Sequence, residues 1–250
     1  MADELLLRYA RHVLLDEIGI GGVEKMANAR VLQIGAGGLG SAAALYLAAS
    51  GVNLTIVDND CVELSNLQRQ IIHTTQAIGK NKAESAKKTL VAINPTAKIV
   101  AVSEKITDEI LRALVPKHDL ILDCSDNFPT RYAINRAALE HKKPLVAGAA
   151  IQFAGQVFVS DFQNTNAPCY SCVFDETAQS DEIRCADSGV FAPIVGVIGT
   201  LQAGIALKII TGLESPPFLL TFDFKNLKFQ KIKIQKDAQC AVCKENPKCN

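Results

Sequence analysis

The sequence has no excess of either charge: 26 lysines and arginines stand against 26 aspartates and glutamates. That balance excludes the broad basic footprint of a nucleic-acid binder. Internal repeats, low-complexity tracts and obvious linkers are also missing. At 250 residues, 48% of them apolar, a single α/β unit with a substantial core is expected. No basic stretch opens the chain; Asp3 and Glu4 stand there and argue against a signal peptide. The expected location is the cytosol, where eight cysteines read as metal ligands or reactive thiols rather than disulfides.

Charge is absent altogether from Gly189 to Leu207, a stretch long enough on paper to span a bilayer. Pro193, Gln202 and four glycines interrupt it. It reads as a helix buried against a sheet, so no membrane is expected.

What the chain does have is a strand–helix rhythm. Residues 4–16 have helical spacing, with Leu5, Leu6, Tyr9, Val13 and Leu14 on one face and Arg8, Arg11 and His12 on a cationic side. Strands are predicted at Arg30–Ile34, Asn53–Val57, Ile99–Val102, Leu120–Leu122 and Leu145–Ala149, with helices over 38–50, 80–92 and 128–141 between them. This implies a doubly wound, Rossmann-like sheet, mainly parallel. From about 153 the pattern changes: Phe153–Ser160 alternates, 161–188 is polar and irregular, and strands near 218–223 and 228–234 follow the uncharged helix. The C-terminal strands are expected to be antiparallel. The expected organisation is an N-terminal helical arm (1–28), a nucleotide-binding half (29–150) and a second half (151–250).

The first strand runs into Gly35-Ala36-Gly37-Gly38-Leu39-Gly40. Missing side chains let such a turn approach phosphates, and the following helix offers free N–H groups and a partial positive charge. Asp58 ends the next strand, where an acid meets ribose hydroxyls. The loop says nucleotide without saying which. A triphosphate whose pyrophosphate departs needs fixed cations and Mg²⁺. Arg69, closing Ser65-Asn66-Leu67-Gln68-Arg69-Gln70, and Lys82 are the candidates; Asp126, after the fourth strand, suits Mg²⁺. Asp126 and Asn127 also suit a helix N-cap, and one could cap while the other binds.

Cys169-x-x-Cys172 and Cys240-x-x-Cys243 are two short chelating loops, and four thiolates fill a tetrahedral structural Zn²⁺ site. Such a site would tie the polar insert to the C-terminal tail. Cys185 stands apart beside Arg184, which favours its thiolate, while Asp181, Glu182 and Asp187 oppose that.

These motifs in this order, together with Arg8-Tyr9-Ala10-Arg11, Leu122–Asn127 and Gly196–Gln202, resemble the ubiquitin-activating-type adenylyltransferases, the MoeB/ThiF family. The resemblance covers nearly the whole chain. It implies ATP bound by Gly35, Gly37, Gly38, Asp58, Ser65, Asn66, Leu67, Gln68, Arg69, Lys82, Asp126 and Asn127, and a homodimer in which Arg11 reaches a neighbouring subunit's phosphates. It implies a small ubiquitin-like sulfur carrier whose C-terminal glycine is adenylylated for molybdopterin or thiamine synthesis, with a cysteine desulfurase or rhodanese-type protein as sulfur donor. It makes the zinc-tethered insert a crossover loop, mobile over 174–188, in which Cys185 either links covalently to the carrier or is dispensable. Leu14–Ile18 and Thr74-Thr75 look ThiF-like, whereas Gly148–Ile151 and Val195–Gly199 look MoeB-like.

Three other readings compete. A nicotinamide dehydrogenase would use the same glycine loop but not an Arg69–Lys82–Asp126 cluster. A zinc-stabilised scaffold would bind a carrier without activating it. A related enzyme acting on tRNA fits the fold but not the balanced charge.

Overall fold

A computed structural model describes residues 3–176 and 189–244. One eight-stranded sheet has the order β3-β2-β1-β4-β5-β6-β7-β8. Its strands are β1 (Arg30–Ile34), β2 (Asn53–Val57), β3 (Ile99–Val102), β4 (Leu120–Asp123), β5 (Pro144–Ile151), β6 (Ala154–Asp161), β7 (Phe218–Asp223) and β8 (Lys228–Lys233). The first five are parallel and β6, β7 and β8 add antiparallel. Strand order reverses between β1 and β4, and a crevice opens there at the carboxyl ends of the strands.

The central strands are mostly apolar and largely buried, because helices cover both faces. Among the described residues, the helices of the N-terminal arm are α1 (Asp3–Arg8), α2 (Ala10–Val13) and α3 (Gly19–Asn28). Between strands come α4 (Gly38–Ala49), α5 (Lys82–Ile93), α6 (Asp108–Leu114), α7 (Phe128–Glu140) and α8 (Ala192–Thr211). On one face α4 and α8 pack with Val31, Leu54, Ile56 and Val157; on the other, Leu32, Ile34, Ile121 and Phe158 pack with Tyr132 and Ile134 of α7.

Helix α8 has 20 residues, one of them charged (Lys208), and a mean hydropathy of 1.8, enough by length and composition to cross a membrane. Here it is a core helix: Ile194, Val195, Ile198, Gly199, Ala203 and Ala206 are buried against α4 and the sheet. A Cβ at Gly199 would collide with the Leu39 carbonyl of α4, so glycine is what lets the two helices close.

The structure corrects the N-terminal arm. The expected helix over 4–16 breaks at Tyr9, and Leu14 is 70% exposed instead of sharing a buried face. Tyr9 turns inward: its hydroxyl accepts a hydrogen bond from Asn94 at 2.9 Å and lies 3.3 Å from the Thr96 hydroxyl. Helix α3 lies inside the expected helical arm but beyond the helix predicted there, and α6 has no counterpart in the sequence reading. In α3, Gly19, Gly21 and Gly22 lower helix propensity, and burial of Val23 and Met26 overrides them. In α6 the signal is short but present: the Thr107 side chain caps the Ile110 N–H, with Asp108 and Glu109 in the first turn.

Candidate active site

The crevice between β1 and β4 holds a cavity of about 250 Å³. Its floor is the glycine loop. Gly35 has φ +98°, and a Cβ there would lie 2.6 Å from the Cys124 carbonyl, so only glycine fits. A Cβ on Gly40 would collide with the Gly35 carbonyl. Gly37 precedes α4, and Gly38 and Leu39 at the start of that helix line the cavity.

Ala36 is held at both of its polar groups. Its N–H donates to Asp58 Oδ2 at 2.7 Å, and its carbonyl accepts from His73 Nε2 at 2.9 Å. Since a carbonyl only accepts, Nε2 carries the proton and Nδ1 accepts from the Ser85 hydroxyl, 2.9 Å away. Burial lowers the His73 pKa and keeps the ring neutral. Burial also raises Asp58 above the usual carboxylate value, against the N–H groups of Ala36 and Asp60.

Gly35, Gly37, Gly38, Asp58, Arg69, Lys82, Asp126 and Asn127 all line this cavity. Lys82 begins α5, is buried, and places its ammonium 2.9 Å from Asp60. Arg69 hydrogen-bonds the Ser65 carbonyl at 3.1 Å. Asn127 caps α7 through the Thr130 N–H at 3.0 Å, which leaves the exposed Asp126 carboxylate at the cavity. Of the two candidate caps, Asn127 is the one used.

Other expected residues are placed differently. Ser65, Asn66, Leu67 and Gln68 do not line the cavity. Asn66 is buried and shapes the segment: its side chain accepts from the Glu63 N–H, and its carbonyl accepts from the N–H groups of Arg69 and Gln70. Gln70 lines the cavity, with a buried Oε1 that has no partner among the described residues. Arg11 is exposed on α2, away from the cavity. Cys61 and Cys124, at strand ends, read by default as small buried residues; Cys124 is buried, which pushes its thiol pKa far up, whereas Cys61 is exposed. Cys185, with its charged neighbours, and Cys249 lie outside the described residues, as does most of the insert expected to be mobile.

Beside the first cavity lies a more apolar groove of about 530 Å³. Leu39, Ser125, Asp126 and Ala150 line both, so the two meet at the Asp126 loop. Phe128, Phe222, Ala149 and Gly155 continue the groove toward Lys228 and Gln230 at β8.

Cys169, Cys172, Cys240 and Cys243 bring their sulfurs within 4.8 Å of one another. Cys169–Cys240 is 3.7 Å, Cys169–Cys172 is 3.8 Å and Cys172–Cys243 is 3.3 Å. A zinc tetrahedron with 2.3 Å bonds has sulfur–sulfur edges of about 3.8 Å. These sulfurs are too far apart for disulfides and suit a soft, thiolate-bound ion.

The ThiF family model matches residues 9–242. The molybdopterin-synthase adenylyltransferase of Escherichia coli is 41% identical over 249 residues, covering 97% of this chain and 98% of that one. The sulfur carrier protein ThiS adenylyltransferase of Escherichia coli is 40% identical over 245 residues, covering 97% of each. The Aspergillus niger adenylyltransferase and sulfurtransferase uba4 is 42% identical over 97% of this chain but only 53% of its own length. Among solved structures, the crystal structure of E. coli MccB with ATP superposes with a TM-score of 0.80 at 24% identity, over 94% of this chain and 74% of that one; at that identity it speaks for the fold. With the family match spanning the glycine loop and three of the four clustered cysteines, and with full-length relatives at this identity, the chain belongs to the ThiF family.

Proposed function

We propose that the protein adenylylates the C-terminal glycine of a small ubiquitin-like sulfur carrier with ATP and releases pyrophosphate. One observation carries the reading: a glycine-loop cavity with Arg69, Lys82 and Asp126 on its wall opens at Asp126 into a second, apolar groove. A nucleotide and an extended chain end can therefore meet at one point. The relatives named as adenylyltransferases of molybdopterin synthase and of ThiS support the reaction class.

The chemistry follows from charge. The carrier's carboxylate is ionised at neutral pH, so its attack on the α-phosphorus requires no general base. The enzyme aligns two anions and holds the charge of the departing pyrophosphate. Free amides at the start of α4 take phosphate oxygens, Asp58 takes the ribose, and Arg69 and Lys82 supply positive charge. The exposed Asp126 carboxylate, which accepts from Asn127 Nδ2 at 3.4 Å, suits Mg²⁺, which when bound would neutralise phosphate charge. Arg11 acts on a neighbouring subunit's phosphates, so a homodimer is the working unit. Zn²⁺ in the four-cysteine cluster ties the insert to the C-terminal tail. The division into arm, nucleotide half and carrier half follows from this.

Persulfide sulfur from a cysteine desulfurase or rhodanese-type donor in the cytosol then attacks the adenylate carbonyl and displaces AMP, and a thiol cleaves the resulting acyl disulfide to the thiocarboxylate. Relatives of roughly twice this length are named adenylyltransferase and sulfurtransferase, which supports such a donor. Cys185 is a candidate for the covalent step on sequence alone. Incubation with ATP, Mg²⁺ and a carrier should yield carrier heavier by one AMP by intact mass. Unmodified carrier in the presence of bound ATP would contradict the reading.

A further inference from the structure

Arg131 is a charged residue that the nucleotide chemistry does not itself require, yet it is only 6% exposed, on the second turn of α7. Burying a guanidinium is costly unless its donors are met. Here Nη1 donates to the Gly148 carbonyl of β5 at 2.7 Å, and Nη2 donates to the Ser125 carbonyl. The Asp123 carboxylate at the end of β4 lies 3.8 Å from Nη1. One side chain thus ties β4, β5 and the β4–α7 loop together.

The loop residue it grips is fixed elsewhere as well. Ser125 donates to Asp123 Oδ1 through its N–H at 2.9 Å and its hydroxyl at 2.6 Å. Every polar group of Ser125 is therefore bound. One residue later comes Asp126, whose own carboxylate is exposed; next is Asn127, fixed as the cap of α7. Asp126 hangs between two anchored neighbours where the cavity and the groove meet. From below, Gln202 of α8 donates to the Asp123 carbonyl at 2.8 Å.

Buried ion pairs contribute little net stability compared with apolar packing, so stability alone is a poor reason for this arginine. Its planar fork is suited to holding two carbonyls at a set spacing, which an ammonium cannot do.

We infer that Arg131 is a positioning residue: by clamping the Ser125 and Gly148 carbonyls it fixes the Asp126 carboxylate for the Mg²⁺ that accompanies the nucleotide. This rests on the ATP reading of the same site and deepens it.

The test is calorimetric binding of ATP to the full-length, zinc-loaded protein, with Mg²⁺ and with EDTA, for wild type and Arg131→Lys. The expected result is a loss of about tenfold in affinity with Mg²⁺, and a change under about twofold in EDTA. A merely structural arginine would move both values together. Equal losses in the two buffers, or no loss in either, would overturn the inference. If Arg131→Lys does not fold, Ser125→Ala loosens the same loop from its other side. It should weaken only the Mg²⁺-dependent affinity, and unchanged Mg²⁺-dependent affinity would overturn the inference. Wild-type protein that binds no ATP would overturn the nucleotide reading itself.

Discussion

The Lys82 ammonium sits 2.9 Å from the Asp60 carboxylate, with the lysine side chain 10% exposed and the aspartate 62%. Asp60 also donates its N–H to Asp58 at 2.9 Å, so the cation proposed to meet phosphate is linked to the acid proposed to meet ribose. A buried lysine on the cavity wall has little role besides charge. Lys82→Ala should lower the rate of adenylate formation by about 100-fold or more. Zinc content and melting temperature should stay close to wild type. Unchanged turnover would remove Lys82 from the mechanism.

The loop geometry gives a second prediction. Gly40 has no room for a methyl group, because a Cβ would meet the Gly35 carbonyl and the Gln33 amide. Gly40→Ala should cost about 1–3 kcal/mol in chemical denaturation and weaken ATP binding along with it. Wild-type stability and affinity together would show that the loop has slack the packing does not display.

Much of this site was legible in the sequence, for a physical reason. The glycine loop, Asp58, Lys82 and the cysteine pairs are recognisable because their chemistry depends on residue type at short spacing. The five parallel strands were legible because apolar runs covered on both faces stand out between helices. Residues whose roles depend on distant partners were not. His73 matters through Ala36, 37 positions earlier, and Arg131 through Gly148, 17 positions later. Tyr9 broke the expected N-terminal helix through Asn94, 85 residues away. In Ser65–Gln68 the polar character was visible, but not that Asn66 would spend its groups on shaping the turn.

Acid should destabilise the fold through two histidines. Burial lowers the pKa of His73 and of His118, whose ring bonds the Leu114 carbonyl and the Thr55 hydroxyl. A depressed folded-state pKa contributes stability that is complete above the unfolded value of 6.5 and is lost as pH falls through the folded value. The raised carboxyls of Asp58 and Asp123 pull the other way. The histidine part is therefore read by difference: unfolding midpoints below pH 6.5 should fall less steeply for a His73→Gln, His118→Gln double variant than for wild type. Parallel pH profiles would contradict this.

The cysteine cluster should bind one zinc per chain. Cys240→Ser should lose that metal and lower the melting temperature, since the Cys240–Cys243 loop has little core besides the cluster. Retention of one zinc per chain by elemental analysis would mean that the ligand set is wrong.

Arg11 lies away from the cavity of its own chain, and the proposal gives it to a neighbour's site. Arg11→Ala and Lys82→Ala proteins should each be inactive. Mixed and allowed to exchange subunits, they should regain activity, because a mixed dimer contains one complete site. No recovery under confirmed exchange would place Arg11 outside the reaction.

The central claim is tested most directly by exchange of labelled pyrophosphate into ATP, measured with a thiamine-type and a molybdopterin-type carrier in turn. The account predicts exchange that depends on the carrier and on its C-terminal glycine. Exchange with one carrier assigns the pathway, and exchange with both marks a shared activator. Absence of exchange with either, on dimeric, zinc-loaded protein that binds ATP, would contradict the account.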